Sequence, residues 1–62
     1  MDSITFSYYV EVFHRSGGST FEKGTFVWSN WMPPPSVSLC LLVFSMHEDN
    51  IGFRILSLTD GS

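Results

Sequence analysis

One cysteine, three cations and no long apolar run are the shortages of this chain, and each excludes a class of protein. A lone Cys40 cannot close an intramolecular disulfide, and no set of Cys and His has the spacing of a structural zinc site. Two staples of small scaffolds are therefore missing. Arg15, Lys23 and Arg54 are scattered through a chain of formal charge −3. Nucleic-acid binding needs several cations on one face to displace counterions from phosphates, so no nucleic-acid partner is expected. The longest apolar stretch, Val37 to Met46, is about ten residues and is interrupted by serines, whereas a helical span takes roughly twenty. No membrane span is expected. Met1-Asp2-Ser3 has no cationic stretch leading into an apolar one, so no secretory signal is read. A single cysteine without an export signal gives a cytoplasmic or nuclear expectation.

What is present is core material. Apolar residues make up 44 % of the chain and aromatics 16 %, more than a disordered tail would carry. Yet 62 residues allow one small domain, which buries only roughly 60 % of the surface its unfolded chain exposes. Surplus apolar surface predicts a partner, self-association, or the remainder of a larger domain.

Alternation locates the strands. Ile4, Phe6, Tyr8, Val10 and Val12 fall on one face of a strand, with Thr5, Ser7, Tyr9 and Glu11 on the other. Ser16-Gly-Gly-Ser19 ends it, because glycines supply the positive φ of tight turns. Gly24 reads as a turn or bulge between a short strand and a second alternating one that places Phe26 and Trp28 on one face. Asn30-Trp-Met-Pro-Pro-Pro-Ser36 reads as an extended connection, since consecutive prolines cannot donate to a ladder. Val37–Phe44 and Ile51–Leu58, joined by His47-Glu-Asp-Asn50, read as a β-hairpin. Thr59-Asp-Gly-Ser62 reads as a turn or fraying end. The expected fold is all-β: a small antiparallel meander or single sheet of four to five short strands, strand-rich over 4–29, with a proline connection over 30–36 and a hairpin over 37–58. The stretches Ile4–Phe13 and Val37–Met46 are expected to leave long apolar edges, candidates for pairing with another chain.

No constellation predicts catalysis, a cofactor or a metal. His47, Glu48 and Asp49 lie beside Ser45, but consecutive residues on a strand diverge, and a solvated turn explains them. Nothing supplies a serine triad's oxyanion donors. A metal site would have to bring His14 to His47. Cys40 sits between leucines with no cation to stabilise a thiolate, as a buried small hydrophobe would. Ser16-Gly-Gly-Ser19 lacks the Lys and Ser/Thr of a phosphate loop. Trp28, Trp31, Pro33, Pro34 and Pro35 are the candidate protein-binding residues: Trp is enriched at interface hot spots, and prolines dock into aromatic grooves. Core packing of the tryptophans and a rigid proline link is the competing account.

Val10-Glu-Val-Phe13, Phe21-x-x-Gly24-x-x-x-Trp28, Leu42-Val-Phe44, Phe53-Arg54 and Leu58-x-Asp60-Gly61 together resemble part of the plant F-box-associated domain. Ser45 and Thr59 stand where that family typically has Asp and Pro, and the F-box helices are absent. The resemblance implies a β-rich fragment concerned with substrate-protein recognition. Gly24, Asn30 to Pro35, and Asp49 with Phe53-Arg54 also resemble the last strands of a picorna-like capsid jelly roll, which implies a self-assembling structural element. The functional expectation is a non-catalytic protein-interaction module, with self-assembly, or a recently arisen regulatory reading frame, as alternatives.

Overall fold

The computed structural model describes residues 3–60. Three strands and one helix follow in the order β1 (Ser3–His14), β2 (Ser19–Ser29), α1 (Pro35–Met46) and β3 (Asn50–Asp60). The strands form one antiparallel sheet in the order β2-β1-β3. The fold is mostly β, but it has three strands rather than four or five, and it is not a meander because β1 lies in the middle.

β1 and β2 form a hairpin that closes at Ser16-Gly-Gly-Ser19, where the glycine pair predicts a turn. Ser3 pairs with Ser29 and Phe13 with Ser19 in unbroken register. Gly17 and Gly18 take φ of 111° and 76° in the turn, a region that L side chains resist. Gly24 does not interrupt β2. It pairs with Tyr8, and a Cβ there would lie 2.8 Å from the Tyr8 hydroxyl and 3.0 Å from its Cζ. Glycine at this position leaves room for an aromatic ring across the ladder.

The largest correction concerns Val37–Phe44, which is helical. Both outer strands run antiparallel to β1 and hence parallel to each other, so the chain between them must cross over, and such crossovers usually run through a helix. Residues 30–49 make that crossover. Locally, Pro35 occupies the first helical position, where its missing N–H costs nothing. Ser38 donates from its backbone N to the Pro34 carbonyl at 2.9 Å and from its hydroxyl to the Pro33 carbonyl at 2.8 Å. Leu39, Leu41 and Leu42 are strong helix formers, whereas only Val37 and Val43 in this run are β-branched. Alternation over so short an apolar run cannot separate the two states. The proline connection is correspondingly shorter than expected, a turn at Asn30–Trp31 leading to Pro34, with Pro35 and Ser36 already in α1.

The core lies between α1 and one face of the sheet. Tyr8, Val10 and Val12 of β1 meet Leu39 and Val43 of α1, flanked by Phe26, Leu42, Phe53 and Leu58. The expected β1 face is thus the buried one. β3 keeps this face through an irregularity: Tyr9 pairs with Ser57 but Val10 with Ile55, so Leu56 is an extra residue that returns Leu58 to the core side. A second irregularity lies between Phe13 and His14. Strand β3 includes Thr59 and Asp60, while Gly61 and Ser62 of the expected terminal turn lie outside the described residues.

The expected apolar edges are also corrected. Ile4–Phe13 belongs to the central strand and is paired on both sides, and Val37–Met46 is helix, so the free edges belong to β2 and β3. No described residue covers the sheet's other face. There Tyr9 stacks on Phe21 with ring centroids 5.9 Å apart, and Arg54 bonds Glu11 at 2.9 Å directly across the ladder.

Helical placement makes a prediction that a strand reverses. Leu39 and Val43 share the buried face while Leu41, two residues from Leu39, points outward. Leu39→Ala is expected to cost about 2–5 kcal/mol and Leu41→Ala to stay within about 0.5 kcal/mol, read as denaturation midpoints. Equal effects would mean that 39 and 41 share a face, as they do on a strand.

Candidate functional site

The helix is apolar all round, with no acidic residue in its first turn and no basic residue in its last. One side is spent on the core: Leu39 is 0 % exposed. The opposite side carries Val37, Leu41 and Phe44, all exposed, with Leu41 at 59 %. Spacings of four and three place these side chains in one stripe, the spacing with which a helix seats apolar knobs against another helix. Cys40, expected to be buried, is half-buried on the flank of this stripe. Phe44 also turns its ring edge toward Phe53 of β3, at 6.0 Å between centroids, which holds the C-terminal end of the stripe against the sheet.

The five sequence-predicted binding residues divide. Trp28 is half-buried: its Nε1 donates to the Pro33 carbonyl at 2.6 Å, and its ring lies edge-on to Phe6 at 6.1 Å. Phe6 in turn stacks on Phe26 at 5.7 Å. Trp28 therefore packs the end of the sheet, and Pro33 supplies the acceptor that its indole requires once it leaves water. Pro35 starts the helix and is half-buried, while Pro33 and Pro34 are exposed. Trp31 is 80 % exposed in the turn between β2 and α1. The Ser29 backbone N meets the Met32 Sδ at 3.4 Å and the Met32 N donates to the Ser29 carbonyl at 2.9 Å, so the turn that presents Trp31 is closed on itself. Val37, Leu41 and Phe44 were missed by the strand reading, in which 37 and 41 fall on one face and 44 on the other. Helical spacing over 37–44 joins them, but an apolar run this short suits either period.

A polar cluster closes the far end of the sheet, where the β1–β2 turn meets the α1–β3 turn. The Arg15 backbone N donates to the Asp49 carbonyl at 2.7 Å, and the Ser16 hydroxyl donates to Asp49 Oδ2 at 2.6 Å. His14 and His47, far apart in sequence, come together edge-to-face at 5.9 Å. His14 Nε2 lies 2.8 Å from the Thr20 hydroxyl, whereas His47 Nε2 is buried against the Glu22 carboxylate without a hydrogen bond. The Asn50 side-chain amide donates to the His47 carbonyl and holds the exit from the helix. Among the described residues, no group of three His, Cys, Asp or Glu side chains is placed to share a metal ion. The arrangement is that of a clasp between two turns.

Comparison of the chain with protein-family models, with curated proteins and with solved structures finds no match.

The clasp has an acid dependence. The Ser16 hydroxyl, opposed by some desolvation and helped by the Ser16 backbone N–H and the nearby His14 and Arg15, holds the Asp49 carboxyl below its ordinary value of 3.8. A carboxyl depressed in the folded state contributes stability that is complete above the unfolded value and is lost as pH falls through the folded one. Ser16→Ala is expected to move the Asp49 midpoint upward toward 3.8, followed by carboxyl NMR titration. An unmoved midpoint would show that the hydroxyl does not set it.

Proposed function

We propose that this chain is a non-catalytic protein-interaction module that receives an apolar helix of a partner protein along the outward face of α1. The observation that carries the reading is the Val37–Leu41–Phe44 stripe, exposed on a helix whose other side already fills the core. Burial of such a stripe removes apolar area from water, and the spacing suits knobs from a second helix. The absence of charge along α1 removes the desolvation cost that a charged face would impose on an apolar partner. Trp31, exposed in the turn that leads into the helix, adds a large amphipathic side chain to the accessible surface. Substrate-protein recognition, implied by the resemblance to the F-box-associated domain, is a role of the same kind.

The test is site-specific photocrosslinking in cells, with benzoylphenylalanine introduced at Trp31 or Leu41 and, as control, at exposed Glu48. A discrete adduct from the first two positions and none from Glu48 is expected. Leu41→Asp should weaken binding of the captured protein by about 2 kcal/mol or more, as loss of a central anchor does. Circular dichroism should remain unchanged, because Leu41 lies outside the core. Identical adducts from all three positions, or binding that ignores Leu41→Asp, would end the proposal.

A further inference from the structure

We infer that a second copy of this chain docks on the free edge of β2, joining two three-stranded sheets into one continuous antiparallel sheet of six strands. This surface is separate from the α1 stripe.

The two free edges are not equivalent. β3 has irregularities opposite Tyr9/Val10 and Phe13/His14, and such bulges twist a strand and interrupt its outward ladder. β2 has none: its pairing with β1 runs without a shift from Ser19 to Ser29. Nothing in the crossover pairs with β2 on its other side, and α1 packs against β3. A regular, unpaired edge of this kind is a template for an added strand.

Register follows from the side chains. A two-fold axis perpendicular to the sheet keeps each face continuous, so residue i can lie opposite j of the other copy only when i and j are both odd or both even. Centring on Glu22 sets Glu22 against Glu22, and centring on Lys23 sets Lys23 against Lys23, which places like charges directly opposite. Centring on Gly24 avoids both. Gly24 is also the midpoint of Ser19–Ser29, so this register alone pairs the whole strand. It brings Phe21 opposite Val27 of the other copy, twice, on the open face of the sheet. These two residues are 57 % and 59 % exposed within a single copy. Cross-strand aromatic and β-branched pairs are among the stabilising combinations in sheets. Full overlap, no directly opposed like charges and cover for two exposed apolar side chains thus select one register. The two β3 edges remain at the ends, and their bulges stop growth at the dimer.

Sedimentation velocity of the full chain across a wide concentration range tests this. The unmodified chain is expected to pass from monomer to dimer as concentration rises, without higher species. Val27→Lys should leave a folded monomer, whereas Ile51→Lys on β3 and Leu41→Asp on α1 should leave the dimer intact. Two double variants, Phe21→Lys with Val27→Lys and Phe21→Glu with Val27→Glu, should each be monomeric alone and form a heterodimer when mixed. A monomer at every concentration overturns the inference, as does a dimer indifferent to Val27→Lys or one lost with Ile51→Lys. Loss of the dimer with Leu41→Asp would move the contact to the helix and overturn it too. Absence of heterodimer in the mixture overturns the register.

Discussion

The structure depends on covering one apolar face of a long sheet with a short helix. Strands of eleven and twelve residues reach nearly 40 Å at about 3.4 Å per residue, consistent with the 42 Å long axis, whereas the twelve residues of α1 span about 18 Å. The helix therefore shelters Tyr8, Val10 and Val12 and leaves the Phe6 end to other means. Trp28, Phe6 and Phe26 cover that end by packing on one another, and the Pro33 carbonyl satisfies the indole. Core and aromatic cluster are two solutions to one shortage of helix.

Much of the sheet could be read from residues alone, because its signals are local. The Ile4–Val12 alternation marked the buried face of β1, and Ser16-Gly-Gly-Ser19 marked the turn. The helix escaped because the run over 37–44 has Ser38 as its sole polar residue apart from Cys40, so a strand reading and a helical reading each leave apolar side chains outward. What decides between them is non-local. The β1 face needs a cover, and the chain must cross from one side of β1 to the other to add β3. Gly24 was misjudged for a similar reason. A glycine within a strand signals a break only when nothing across the ladder claims its space, and here the Tyr8 ring does.

The candidate binding residues show the same division between local and non-local information. Tryptophan content singled out Trp28 and Trp31 equally, yet their neighbours separate them. Trp28 lies opposite Ile4 with Phe6 and Pro33 within reach, whereas Trp31 falls in a turn that has already closed through Ser29 and Met32. Composition identified the type of residue, and the topology assigned one to packing and one to the surface. The two histidines behave likewise. Residues 14 and 47 meet only because the hairpin turn and the helix exit converge at one end of β1, where the Asp49 contacts hold them.

Surplus apolar surface in so small a chain could have been spread evenly, which would favour indiscriminate aggregation. Two groups of it instead have distinct geometry, while Trp31, Ile51 and other apolar side chains are exposed elsewhere. The α1 stripe faces away from the inner side of the sheet and offers side chains only, since every backbone group along a helix interior is already bonded. The β2 edge offers backbone donors and acceptors flanked by Phe21 and Val27, and it lies to the side of the sheet away from α1's neighbour β3. A helix suits the first surface and a strand the second, so neither partner can substitute for the other. The stripe lies on the outward side of α1 and the β2 edge at the margin of the sheet, so the two surfaces do not overlap. Three strands and one helix can in this way expose two apolar surfaces of different geometry.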